Sequence, residues 1–307
     1  MHHYTGYVSN ELVTLRKEFT GLWKETIPKE ALRHAFLLHG LLAASALNLA
    51  CLRPTETTKY LTLCDKHQGI ALVGFRNALS GPIEQDVSSA LFAQAAITSI
   101  SSMARSCIVA GAKPAPNFVD IEDVTELFIL TKGVRDVISL AHDYIAQGPL
   151  AVMFWGNRMP ASEESGVVTP EGVRSEFDRV QTMLHQSCEP EYSEPCAAAL
   201  RELAIIYRTM QYFMRHSGVD PGHVLQWLTM VPMEFVRLIE QRHQAALVVL
   251  AYYAAAMTSV REVWYTKDWS VYALQGVRMA LDEGMQHWLE WPEEQIRTDL
   301  AVLKESK

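Results

Sequence analysis

The chain has 307 residues, 49% of them hydrophobic, enough to bury the core of one large helical domain or two tightly packed subdomains. Its formal charge of −8 at pH 7 leaves no basic surface to release counterions from a nucleic-acid backbone, which argues against direct DNA or RNA binding. Five cysteines, Cys51, Cys64, Cys107, Cys188 and Cys196, form no C-x-x-C pair, so neither a zinc site nor a disulfide framework is indicated.

Met1-His2-His3-Tyr4 lacks the charged segment and apolar run of a secretory signal, and the compartment expected is cytoplasmic or nuclear. Apolar residues then recur at helical spacing nearly throughout. Pro28-Lys29-Glu30 opens a helix predicted over 28–52, and a second, over 57–80, carries Leu72, Phe75 and Leu79 and stops at Gly81-Pro82. Asp86-Val87-Ser88 opens 86–110, and Asp120-Ile121-Glu122-Asp123 opens 119–147, which Gly148-Pro149 closes. Beyond it, Pro170-Glu171 begins 170–187, Ser193-Glu194-Pro195 begins 194–217, and the remaining helices fall at 233–263 and 269–289. Loops fall at 111–118 and 156–169, the second polar and acidic and the best candidate for a flap.

The fold expected is therefore all-α, an orthogonal multi-helix bundle enclosing an apolar pocket. One domain is expected over 1–307, its N-terminal helices in 1–150 and its pocket-forming helices in 151–307. Two uncharged stretches, 35–52 and 245–260, are shorter than the roughly 20 apolar residues of a spanning helix and contain His39, Asn48 or Thr258. They are read as buried core helices, with no membrane span.

Conventional catalytic motifs are absent: the chain has no H-E-x-x-H, G-x-S-x-G, P-loop or G-x-G-x-x-G. His34 and His39 stand about 140° apart around a helix and do not jointly face a metal. Asp120, Glu122 and Asp123 read as a helix N-terminus complemented by carboxylates, and the neighbours His142 and Asp143 point about 100° apart and make no dyad. No metal and no cofactor is called for.

The second half is rich in aromatic and methionine side chains, which suit the wall of a cavity for a bulky hydrocarbon ligand. Helical faces single out Met153, Phe154, Trp155, Tyr207, Met210, Met214, Trp227, Tyr253, Met257 and Trp264 as wall candidates. Tyr144, Gln147, Tyr207 and Tyr253 are the candidate hydrogen-bond donors to a ligand hydroxyl or carbonyl.

Several segments carry a family likeness. The opening Met1-His2-His3-Tyr4-Thr5, then Leu22-Trp23, Ile27-Pro28, the run from Ala35 to Ala50, Tyr60, His67-Gln68 and Ala71 to Leu79 resemble the C-terminal domain of fungal sterol-uptake transcription regulators. Arg242 to Tyr253, Trp264-Tyr265, Trp269 and Trp288-Leu289-Glu290-Trp291-Pro292 continue the resemblance at the other end. It implies a helical domain that encloses a sterol and whose ligand state sets residence in the cytosol or the nucleus. Two departures stand out. The family's zinc cluster and linker do not precede the domain, and Asp268 stands before Trp269 where the family commonly has glycine, a residue freer to take positive φ.

Three readings follow. In the first, the chain encloses a sterol, terpenoid or polyene and changes shape or partner. In the second, the same pocket is a cofactor-independent cyclase or Diels–Alder pericyclase, for which holding the reacting carbons in place lowers the barrier by several kcal/mol, up to about 7–11. The third is a partner-binding or dimerising co-regulator, a homodimer, marked by an exposed apolar patch.

Overall fold

The computed structural model describes residues 1–12, 21–151 and 169–305, with side chains described as far as residue 298. Among these residues the fold is all-α and contains no strand. The chain groups into two compact units, one comprising Met1–Ile108, Ile129–Arg158 and Val263–Tyr265, the other Val109–Phe128, Met159–Glu262 and Thr266–Lys307.

The first unit begins with helical turns at Tyr4–Val8, Ser9–Glu11 and Leu22–Thr26, which the apolar periodicity does not disclose. Helix α1 spans Ile27–Arg33, α2 Ala35–Leu52 and α3 Thr57–Leu79, followed by most of α4, Gln85–Ala112, and the later part of α5, Ile121–Gln147. The single helix expected over 28–52 is broken at His34, whose extended backbone (φ −125°, ψ 100°) ends α1 and opens α2. Its ring Nε2 lies 3.1 Å from the Asp86 carbonyl, a long-range contact that local spacing cannot reveal. Helix α2 is buried on most of its circumference, as an all-round apolar helix must be. Its Asn48 is 1% exposed; its Nδ2 donates to Glu11 Oε2 (3.0 Å) and its Oδ1 accepts from His3 Nε2 (2.8 Å), which pins the N-terminal turns to α2.

Ala35–Leu52 and Gln85–Ala112 are both long and apolar enough to cross a membrane, although the sequence reading singled out only the first. Within the fold, 61% and 72% of their most apolar windows are buried.

Helices α2 and α3 meet at a histidine pair. His39 Nδ1 and His67 Nδ1 lie 2.8 Å apart, so one ring donates its proton to the other. Burial, then the neighbouring His39, Lys66 and the chain's amino terminus, lowers the His67 pKa.

The second unit contains α6 (Glu171–Ser187), α7 (Pro190–His216), α8 (Pro221–Met230), α9 (Met233–Glu240), α10 (Gln244–Met257), α11 (Trp269–Ala280) and α12 (Glu290–Glu305). Helix α7 starts at Pro190, ahead of the expected start near 194. Proline preorganises a first helical position, and Pro195 falls inside the helix without ending it. Helix α8 was not expected at all. It opens with a reciprocal cap in which the Asp220 side chain accepts from the third-residue amide and the Asp220 amide donates to His223 Nδ1 (3.0 Å). The usual glutamate or glutamine at that third position is a histidine here, so the cap is hidden from a motif search.

The helix expected over 233–263 is two helices bent by 105°. Arg242 stands at the corner with φ 56°, and the amides of Arg242 and His243 return to the carbonyls of Ile239 and Leu238. A guanidinium bond from Arg242 to Glu122 Oε1 (2.7 Å) ties the corner to the start of α5. The helix expected over 269–289 is likewise divided. Gln244 accepts from the Asp282 amide (2.8 Å) and donates to the Ala280 carbonyl (3.3 Å), which caps α11, and a tight turn over Glu283–Leu289 leads into α12. The breaks at His34, at Arg242 and at the end of α11 each rest on a contact between residues distant in sequence or on a single backbone angle.

Helix α11 lies directly on the segment before α5. The Val119 amide donates to the Tyr272 carbonyl (3.0 Å), and a Cβ added at Gly276 would collide with the Val119 carbonyl oxygen. Backbone cannot yield as a flexible side chain does. Gly276→Ala is therefore expected to lower stability by about 1–3 kcal/mol, whereas Gly284→Ala, with open space around it, should stay within about 0.5 kcal/mol of the parent. Thermal unfolding of the two variants side by side checks this, and equal melting temperatures would remove the close approach from the account.

The histidine pair has a pH signature. The unfolded chain takes up a proton at the ordinary value of about 6.5, whereas folded His67 resists it. Stability from this residue is thus full above that pH and declines as pH falls through about 6.5 towards the lowered folded value. His243, lowered by burial, acts in the same direction, so the variant comparison matters. His67→Gln should show a smaller loss of melting temperature than the parent between about pH 7.5 and 5.5, and parallel curves would refute the assignment.

Candidate functional site

The second unit is organised around α10, in which every residue from Ala245 to Met257 is buried. Its adjacent tyrosines point about 100° apart, and their hydroxyls meet different fates. The Tyr252 hydroxyl donates to Glu176 Oε2 (3.2 Å), and its ring stacks on Trp291 with centroids 5.0 Å apart. Both Glu176 carboxylate oxygens also accept from Arg179 Nη1, at 2.7 and 2.8 Å.

Tyr253 lies instead in a shell of rings drawn from five helices. Trp227 of α8 stacks on it (4.3 Å, 23°), and Trp269 of α11 meets it edge to face (5.8 Å, 70°). Phe235 of α9 and Phe128 of α5 complete the shell through edge contacts of 5.6 Å with Trp227. All five rings are 0% exposed. Such edge and offset contacts stabilise by about 0.5–1.5 kcal/mol each beyond simple burial.

The polar atoms of this shell divide in two. Trp227 Nε1 donates to the Ala199 carbonyl at 2.9 Å. Tyr253 Oη, Trp269 Nε1 and, at the end of α10, Thr258 Oγ1 are buried with no hydrogen-bond partner among the described residues. Leaving a buried donor unmatched costs about 1–3 kcal/mol. Burial also pushes the Tyr253 phenol well above its ordinary pKa, so it stays protonated and acts as a hydrogen-bond donor, not as a base.

The residues proposed from helical faces distribute unevenly. Trp227, Tyr253 and Met257 are fully buried and Met210 nearly so. Tyr207 is half-buried with its hydroxyl already donating to the Tyr252 carbonyl (3.2 Å), so it does not offer the donor expected of it. Met214 is 63% exposed near the end of α7, which corrects its assignment to a buried wall. Tyr144, 43% exposed, and Gln147, also exposed, stand on solvent-facing turns at the end of α5 and line no buried wall. Trp264 is half-buried in the other unit, with no partner for its Nε1 among the described residues and its ring edge-on to Tyr265. Met153, Phe154 and Trp155, with nearly all of the proposed flap, lie outside the described residues.

The sequence reading did not select Trp269, Thr258, Phe128 or Phe235. Trp269 had a visible signal, since it belongs to the aromatic element of the family likeness. The other three become neighbours only through packing. Asp268, the departure from glycine before Trp269, has φ −110° and ψ 5°, a conformation open to any residue, so the aspartate introduces no backbone strain there.

The described residues also line two surface grooves. One of about 240 Å³ is bordered by Val271, Leu274, Arg278 and Ile296, and one of about 480 Å³ by Glu171, Asp178, Arg179 and Trp288. Neither is lined by a ring of the buried shell.

Over 95% of its length the chain is 23% identical to a Zn(2)-C6 fungal-type transcription factor of Gibberella zeae. Over 37% of its length it is 36% identical to Sterol uptake control protein 2 of Candida albicans. The chain is similar to fungal transcription regulators. The matched stretches make up 60% and 15% of those two proteins, so the chain spans less than two thirds of either. No protein-family model matches it.

Proposed function

We propose that this chain is a regulator-like helical domain that takes up an apolar small molecule, of sterol or terpenoid size, and responds to it. The observation that carries the proposal is the set of unmatched hydrogen-bonding groups, Tyr253 Oη and Trp269 Nε1, inside a fully buried shell of five uncharged rings. Aromatic surface with a few unengaged polar groups is the usual composition of a site for a largely hydrocarbon ligand. Burial at about 25 cal/mol per Å² supplies the affinity and the polar groups supply the orientation.

The likeness to transcription regulators, one of them named for sterol uptake control, supports the same reading and accords with residence in the cytosol or nucleus. The formal charge of −8 argues against a nucleic acid as the direct partner of this domain. No membrane span enters this reading.

Native mass spectrometry of the protein purified from a sterol-containing yeast host is expected to show a retained neutral lipid. A ligand at 100 times its dissociation constant should stabilise the fold by about 2.7 kcal/mol, visible as a raised melting temperature. An apo mass together with no thermal shift across sterol and terpenoid panels would sink the proposal. Recovery of an added polyene as an isomer of unchanged mass would assign the chain to catalysis instead.

A further inference from the structure

We infer that the polar end of the ligand is a neutral carbonyl, a ketone, enone or lactone, received by the Tyr253 hydroxyl and the Trp269 indole N–H. The inference rests on the proposed ligand-binding reading and narrows it to a chemical class.

The argument is a count of hydrogens and lone pairs. An indole N–H donates and never accepts, and burial keeps the Tyr253 phenol protonated, so the two groups present two donor hydrogens. Both atoms are buried without a partner among the described residues, and their rings are neighbours, edge to face with centroids 5.8 Å apart. A carbonyl brings lone pairs and no hydrogen, so both donors are matched and nothing is left over. An alcohol brings a hydrogen of its own, and with Tyr253 and Trp269 as its neighbours one hydrogen always remains unmatched. Thr258 Oγ1, also buried without a partner among the described residues, lies five residues beyond Tyr253, past the end of α10 at Met257.

Charge is excluded by the same surroundings. The rings touching Tyr253, Trp227 and Trp269, carry none. A carboxylate or ammonium placed there would be a buried, unpaired ion, which costs far more than two hydrogen bonds return. A pure hydrocarbon would leave both donors unmatched. The site thus favours a carbonyl compound over the alcohol and the alkane of the same skeleton.

The test uses the full chain and three probes sharing one skeleton, cholestanone, cholestanol and cholestane, with binding followed by tryptophan fluorescence. The ketone should bind about 3- to 10-fold more tightly than the alcohol, the value of one matched hydrogen bond. Tyr253→Phe removes one of the two donors and should lower the ketone-to-alkane affinity ratio. Trp269→Phe, which also removes a ring, is judged by the ketone-to-alkane ratio alone and should lower it. Without ligand, Tyr253→Phe should melt no lower than the parent, because it deletes an unmatched hydroxyl. A lower melting temperature would show that the hydroxyl is already bonded in the free protein and would overturn the inference. Equal affinity of the parent for all three probes would overturn it too, leaving the proposed function intact. Binding of none of them, with no retained lipid, would withdraw that function and this inference together.

Discussion

The second unit depends on the burial of α10. From Ala245 to Met257 no side chain of this helix reaches solvent, so every face must be covered by another element. Its many alanines let neighbouring backbones approach closely, and its two large polar-tipped residues, Tyr252 and Tyr253, decide what the approach leaves between them. A helix apolar all round has no preferred inner face. The surrounding helices, and not its own periodicity, therefore determine where each tyrosine points.

That division separates two kinds of polar group. Tyr252 is held in a local lattice of Glu176, Arg179 and Trp291, with its hydroxyl bonded and its ring stacked, which is the arrangement of a structural residue. Trp227 is likewise bonded to a backbone carbonyl. Tyr253 and Trp269, in direct contact with Trp227 or with each other, keep their hydrogens unengaged in the same dry shell. Packing of this quality around unmatched donors is costly unless the donors serve something else, which is the premise of the proposed ligand.

The backbone corners show how local signals and tertiary contacts share control. Proline and acidic residues at helix starts, and glycine-proline at stops, were legible along the chain because they act within one turn. The breaks at His34, Arg242 and Leu281 were not. His34 reaches back to Asp86, Arg242 reaches Glu122, and the end of α11 is capped by Gln244 from another helix. The cap on α8 was local but used histidine in an unusual place, so it passed for a loop. Apolar periodicity cannot register such events, because residues on either side of a corner keep the same spacing.

Among the site residues, Tyr253 and Met257 were recognisable as large side chains in an apolar run, and burial of that run was itself predictable. Met214 and Tyr207 show the limit of the method, since the same helical-face argument assigned both to a wall, whereas tertiary packing leaves one in solvent and bonds the other to a carbonyl of α10. Composition and spacing determined an all-α chain with a large apolar core, because hydrophobic burial and helix-terminus chemistry act through neighbours three or four residues apart. Tertiary structure alone decided which donors were left unmatched, because a hydrogen bond is directional and short. Whether Tyr253 meets a carbonyl depends on helices brought together from positions as distant as Phe128 and Trp269.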